Sequence, residues 1–288
     1  MTDFGFRANA EEKMRETWNE FRFDLATGAF SYKDCDTAKN KAVFLKQFDD
    51  LFSNCHHLFE KSLETVSLSS TTLMRAGKLK DEDPFPTYSR FVPSRKYITS
   101  HNRFSPPGTE WLYIAMGDSD NAEKCALKEC RASKGDRFGL CQFKINEEYS
   151  KRELVDLTIA CDSSYDELNN HLEGMEHEIR KREVKRIING IVQCGCFPKP
   201  NIDDYMNQFR IWFAYTYVRM LSEQIFVPVD TVDKERCYAP FQCVAQYFLN
   251  FGYEGIVYSS TVFPSGKNVV LFDRDAAVPV GKIKIITI

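Results

Sequence analysis

A handful of side chains in this sequence have the types and spacing of a reactive site. Arg75 lies in the run Leu73-Met74-Arg75-Ala76 and Arg103 in His101-Asn102-Arg103-Phe104. Tyr113 lies in Trp111-Leu112-Tyr113-Ile114-Ala115, Glu129 closes a helical run, and Tyr258 and Ser260 share a late strand. Arginine forks suit phosphate groups, because their planar donors match phosphate oxygens in pairs. A buried carboxylate suits the stabilisation of an oxocarbenium-like sugar cation. Together these residue types fit cleavage of an N-glycosidic bond in a phosphate-bearing substrate.

Glu129 is the odd member of the set. Ala122, Cys125, Ala126 and Cys130 form an i, i+3, i+4, i+8 stripe, and Glu129 falls at i+7 on it. A carboxylate on a packed helix face is costly unless it is paired or used. The plainer alternative is a stripe edge at which Glu129 reaches water. Arg75 has a plain alternative too, since a lone strand arginine is usually solvated or ion-paired.

The elements that must position these residues follow from periodicity and punctuation. A helix is expected near Ala10–Phe21 and a long amphipathic helix over 41–63, carrying Phe44, Phe48, Leu51, Phe52 and Cys55 on one face. His56 and His57 are adjacent and so face different sides, which argues against a shared metal. A short strand over 67–76 carries Arg75, and prolines 84, 86 and 93 keep 78–99 as loop. Pro106-Pro107-Gly108 turns the chain into a strand over 111–115, and Asp118-Ser119-Asp120-Asn121 offers N-caps for the helix holding Glu129. Strands are expected over 138–145 and 153–159, and charged helical patterns over 165–192 and 203–225. The second of these carries Met206, Phe209, Trp212, Phe213, Thr216, Met220 and Leu221 on one stripe, more often core or interface than a cofactor box. Pro240 fits the first turn of a helix that Gly252 ends. Strands over 255–260, 269–272 and, at an edge, 282–288 complete the chain. The pattern predicts an α+β protein with a mixed sheet.

The 288 residues carry a net charge of −3, which leaves no basic footprint for nucleic acid. No apolar run approaches the ~20 residues of a membrane helix. The opening Met1-Thr2-Asp3-Phe4-Gly5-Phe6-Arg7 has no apolar leader core, so the ten cysteines are expected to be reduced thiols in a cytosolic protein. Cys125, Cys130 and Cys243 stand where helices want small apolar residues. Cys194-Gly195-Cys196 lacks zinc-finger spacing. No glycine-rich dinucleotide loop, P-loop, zinc-protease helix or nucleophile elbow occurs.

Several of these runs, taken in order, resemble the RES-domain family, named for an Arg, a Glu and a Ser. Arg103-Phe104-Ser105-Pro106-Pro107-Gly108-Thr109 with Leu112-Tyr113-Ile114-Ala115 is similar to its G-R-[FW]-N-P-x-G-x…L-Y-x-A core. Tyr238-Ala239-Pro240-Phe241-Gln242 resembles Y-x-P-T-Q, and Gly252-Tyr253-Glu254-Gly255-Ile256-Val257-Tyr258-Ser259-Ser260 resembles G-y-D-G-i-x-Y-x-S. The run Asn268-Val269-Val270-Leu271-Phe272 is similar to the strand that follows. The matches span about residues 70–275. Ser105 stands where the family has Asn, Phe241 where it has Thr, and the interval from Tyr113 to Glu129 is a few residues longer than the family's.

The resemblance implies a fold related to ADP-ribosyltransferases, with a mainly antiparallel mixed sheet. It implies a RES-like catalytic domain over 67–288, to which the chain's own pattern adds a helical N-terminal extension over 1–66 and a helical insertion at about 163–225. It implies a toxin-like enzyme that cleaves the nicotinamide–ribose bond of NAD, as a glycohydrolase or as a phosphorylase. Arg75 and Arg103 become its two arginines, Glu129 its glutamate and Ser260 its serine. Tyr113 becomes the wall of the nicotinamide pocket, with Tyr258 and Gln242 as further binding residues. Glu123 is the rival glutamate, one position past Ala122 and so turned more to solvent. No metal or cofactor is required, NAD being the substrate. Inorganic phosphate, an antitoxin or immunity protein and a second copy of the chain are the other partners in view; nucleic acid and membrane are not. ADP-ribosyl transfer to a macromolecule, or an inactive binding module, are the alternative readings.

Overall fold

The computed structural model describes residues 3–31, 33, 35, 41–66, 70–80, 86–159, 164–194, 202–225 and 233–288. The chain is α+β. Its strands are β1 (Glu60–Ser62), β2 (Thr72–Lys78), β3 (Leu112–Gly117), β4 (Arg137–Ile145), β5 (Glu153–Asp156), β6 (Gly255–Ser259), β7 (Lys267–Leu271) and β8 (Ala277–Thr287). They form one sheet in the order β1-β5-β6-β7-β3-β2-β4-β8. Every neighbouring pair is antiparallel except β5 and β6. The central strands are rich in Val, Ile and Leu, which suit a pleated, doubly covered surface. Gly255 is required where β6 meets β7, since a Cβ there would collide with the Val270 carbonyl.

The helices are α1 (Asp3–Ala26), α2 (Val43–Cys55), α3 (Leu63–Val66), α4 (Ser119–Glu129), α5 (Tyr165–Cys194), α6 (Ile202–Ile225) and α7 (Lys234–Phe251). Helices α1, α2, α6 and α7 share one core with sheet residues Val155, Ile256 and Val270. Its centre is a stack of rings: Trp18, Phe21, Phe44, Phe48 and Tyr217 lie within 4.9–6.0 Å of one another in succession. Each fully buried ring of this kind contributes about 1.5–3 kcal/mol of hydrophobic stabilisation. The opposite face buries Leu73, Leu112, Ile114, Phe143, Val257 and Leu271.

Several expectations change. The helix expected over 41–63 ends at Cys55; a 3-10 turn (His56–Leu58) and strand β1 follow. The segment before residue 66 is therefore not all helical, because β1 pairs with β5 at the sheet edge. His56 Nδ1 and the Tyr253 hydroxyl both bond Glu60 Oε1, so β1 is tied down by side chains as well as by its ladder. The first helix is longer than its apolar signal, and its residues Trp18 and Phe21 pack on Phe44 of α2, with Trp18 also against Phe241 of α7. Pro240 lies well inside α7 rather than in its first turn, because Asp233 caps the helix through the Arg236 N–H. In α6, Ala214, Tyr217 and Val218 are buried beside the expected stripe, since both α1 and the sheet side cover it. Gly252, at φ +105°, ends α7 as its left-handed cap. The edge strand begins at Ala277, earlier than residue 282.

Cys35, Cys55, Cys125, Cys130, Cys141, Cys237 and Cys243 are free thiols. Cys125 and Cys243 are buried as expected, whereas Cys130 is exposed as a residue and turns its Sγ to the Ala76 carbonyl at 3.4 Å. Gly195 and Cys196 of the C-x-C lie outside the described residues. Among the described residues, no helix is long and apolar enough to cross a membrane.

Candidate functional site

The cleft forms where two strands part. β2 pairs with β3 only through Thr72–Met74, but stays on β4 through Lys78. Arg75 is the first residue past the divergence. A cross-strand row floors the opening: Met74 pairs with Ala115, Ala115 with Asn268, and Asn268 with Tyr258. Helix α4 lies over this row, packing Cys125 and Ala126 against Ala115 and Ala76. Asp118 starts it by accepting the Asn121 N–H at 2.9 Å. Its last residue is Glu129, which the packing delivers to the cleft rim.

Glu129 is exposed, not buried, and so the stripe-edge alternative describes its solvent access correctly. It is nevertheless tightly held. Ser260 Oγ and Asn268 Nδ2 each donate to Glu129 Oε1 at 2.7 Å. Among the described residues, the hydrogen bonds to Glu129 all fall on Oε1, which leaves Oε2 to a ligand. Ser260 Oγ in turn accepts the N–H groups of Val262 at 3.2 Å and Phe263 at 3.1 Å. With its lone pairs so occupied, its proton points at Glu129. Asn268 is buried, and the Cys125 thiol, 3.5 Å from its Oδ1, fixes which end of the amide faces Glu129. Burial pushes that thiol up to about 11, so it stays a donor. Glu123, the rival, faces away: both of its oxygens are bonded by Lys284 at 2.9 Å.

Arg75 is not a solvated strand arginine. Its Nη1 is buried with no hydrogen-bond partner. Burial lowers its pKa, and the nearby Cys130, Tyr113 and Cys141 act in the opposite sense. A buried donor without a partner costs about 1–3 kcal/mol, more when charged. Arg103 is held over the rings of Tyr238 and Phe241, at 5.6 and 5.9 Å from their centroids. Phe241 thus supplies a cation–π face. Ser105 is fully buried and shares a 2.9 Å hydrogen bond with the Tyr113 hydroxyl. The Tyr113 ring keeps some area open to the cleft while its hydroxyl is turned inward. Burial raises the pKa of Tyr113 and of Tyr258 far above the ordinary value of 10, so both remain protonated donors. Tyr258 packs edge-on against Phe104 at 5.0 Å.

The cleft has two lobes. The inner one, about 300 Å³, is lined by Arg75, Tyr113, Glu129, Cys130, Tyr258 and Asn268 among others. The outer one, about 610 Å³, shares Asn102, Tyr113, Glu129 and Tyr258 with it and adds Arg103, Arg131, Lys234 and Tyr238. These volumes suit a small-molecule site. Arg75, Arg103, Tyr113, Glu129, Tyr258 and Ser260 thus come together. Gln242 does not join them. It lies behind the rim, where its Nε2 donates to the Asn102 carbonyl at 3.0 Å and to His101 Nδ1 at 3.2 Å. It shapes the rim loop rather than lining either lobe. Asn268 joins the site without being among the expected site residues; a polar residue opening the run Asn-Val-Val-Leu is the available signal. No protein-family model matches the chain, and no curated protein matches it significantly.

Proposed function

We propose that the cleft cleaves the nicotinamide–ribose N-glycosidic bond of NAD, as the resemblance to RES-domain enzymes and the residue chemistry both suggest. The observation that carries this reading is the fixed Glu129 carboxylate, with one oxygen anchored and the other open, in one cleft with the unpartnered Arg75. Glu129 Oε2 accepts a ribose hydroxyl and stabilises the sugar cation as the C1′–N bond breaks. The bonding electron pair leaves with the pyridinium nitrogen, which becomes neutral nicotinamide, so the leaving group needs no proton. Tyr113 forms a wall for the nicotinamide ring, and Arg75 and Arg103 hold phosphate oxygens. Water then adds at C1′ and gives up a proton, yielding ADP-ribose; inorganic phosphate instead yields ADP-ribose 1″-phosphate. A fold of ADP-ribosyltransferase type belongs to the same proposal, as does a toxin-like role silenced by an antitoxin or immunity protein in a cytosol. Transfer of ADP-ribose to a macromolecule shares the bond-breaking step and differs only in the acceptor. Incubation of the purified protein with labelled NAD tests the reading: free nicotinamide with small-molecule ADP-ribose supports it, and intact NAD in the presence and absence of phosphate refutes it.

A further inference from the structure

The charge of the cleft is at odds with the charge of the chain. Arg75, Arg103, Arg131 and Lys234 line its two lobes, and Glu129 is the carboxylate set against them. The chain as a whole carries a net charge of −3. Such a concentration of one sign in a concave site focuses the field on an oppositely charged ligand. Three of the four cations belong to the outer lobe alone, and two of these, Arg131 and Lys234, have no role so far. Among the described residues, neither the Arg131 guanidinium nor the Lys234 ammonium has an ion-pair partner.

Arg131 is also conformationally costly. It has φ +52°, the left-handed region, and is the one described residue other than glycine found there. It follows the cap of α4, where its N–H bonds the Lys128 carbonyl at 2.9 Å and that of Ala132 bonds Leu127 at 3.2 Å. Glycine is the ordinary occupant of such a position. A side chain held there at the expense of backbone strain is a marker of function. The position hangs a cation two residues beyond Glu129, over the same opening.

We propose that Arg131 and Lys234 form an outer anion clamp, and that the cleft therefore selects a ligand with a nucleoside diphosphate end over one with a single phosphate. Arg75 meets the ligand at the inner lobe near Glu129, and Arg131 and Lys234 hold the phosphate group farther out. This rests on the reading of the cleft as an N-glycosidic bond-cleaving site. It adds the residues that make a dinucleotide a better substrate than nicotinamide mononucleotide.

The test has a binding arm and a turnover arm. In the first, ADP and AMP are titrated calorimetrically into the full chain, into Arg131→Gln/Lys234→Gln, and into Lys282→Gln as a control for loss of an exposed cation elsewhere. Wild type and control bind ADP more tightly than AMP. The double variant weakens ADP binding at least about tenfold, the loss of one charge-assisted contact or more. In the second arm, the ratio of kcat/KM for NAD to that for nicotinamide mononucleotide falls about tenfold in the double variant. If ADP binding is unchanged in the double variant, or wild type binds ADP no better than AMP, the clamp is refuted. If neither nucleotide is cleaved, the proposed function fails, and the binding arm alone still decides the clamp.

Discussion

Ser260 Oγ lies 2.7 Å from Glu129 Oε1 and donates to it, while accepting two backbone N–H groups from Val262 and Phe263. The serine is thus a relay that carries the rigidity of a turn to a carboxylate on another element. Removing the carboxylate and removing its support should differ in degree. Glu129→Gln is expected to lower kcat by three orders of magnitude or more, roughly the loss of about 4 kcal/mol of transition-state stabilisation. Ser260→Ala and Asn268→Ala should each cost about 10–100-fold, one charge-assisted hydrogen bond apiece. Steady-state nicotinamide release checks all three. Near-wild-type turnover in Ser260→Ala would remove the relay from the account.

Arg75 should oppose stability and function. Its Nη1 is buried without a partner. Arg75→Met keeps most of the volume and removes the uncompensated charge. The variant is expected to melt higher, by several degrees for about 1–3 kcal/mol, and to lose turnover at least about 100-fold. ADP-ribose should raise the melting temperature of wild type and leave that of the variant nearly unmoved. A variant that melts lower with activity intact would make Arg75 a structural residue.

Gly266 is the point at which the turn behind Ser260 meets α4. A Cβ there would stand 2.6 Å from Cys125 Sγ and 2.8 Å from the Phe263 ring. Its carbonyl accepts the Ser260 N–H at 2.8 Å. Gly266→Ala must therefore push α4 from the sheet or the turn from Glu129. It is expected to cost about 1–3 kcal/mol of stability and to lower kcat, although the residue touches no ligand. Thermal unfolding and kinetics on the same preparation check the pairing of the two effects.

Gln242 separates rim from centre. With its amide bonded to Asn102 and His101, Gln242→Ala should loosen the loop that lines both lobes. KM is expected to rise about tenfold, with kcat changing much less, because Glu129 and its supports are untouched. Equal losses in kcat and KM would place Gln242 nearer the chemistry.

The tyrosines set an alkaline limit. Burial raises the pKa of Tyr113, Tyr253 and Tyr258 above the ordinary value of 10. Above that value the unfolded chain loses these protons while the folded chain keeps them, so the unfolded state is favoured as pH rises. Melting temperature should hold up to about pH 10 and fall beyond it, as thermal scans across pH 8–11 would record.

The sequence announced the second half of the fold better than the first. Gly252 and the strand after it are local signals that stand where their punctuation puts them, whereas β7 begins at Lys267, two residues before the expected strand at 269–272. The run from Lys41 to Leu63 deceived because its apolar spacing continues past Cys55, while tertiary pairing with β5 pulls Glu60–Ser62 into a strand. Glu129 was singled out for a sound reason with a wrong detail. Its helical register does aim it at the sheet, but the helix ends there and the carboxylate emerges into a cleft. Arg75 is a candidate from its residue type and its run, but no local pattern reveals that β2 leaves β3 at Met74 and that its Nη1 is buried. The role of Asn268 is not legible locally, because its partner Glu129 is 139 residues away.

Product analysis by mass spectrometry decides whether Glu129 drives cleavage of NAD. Wild type and Glu129→Gln are incubated with NAD, with and without inorganic phosphate. Wild type is expected to yield nicotinamide with ADP-ribose, or with ADP-ribose 1″-phosphate when phosphate is present, and the variant to leave NAD intact. Intact NAD from a folded wild type under both conditions, or unimpaired cleavage by Glu129→Gln, would contradict this expectation.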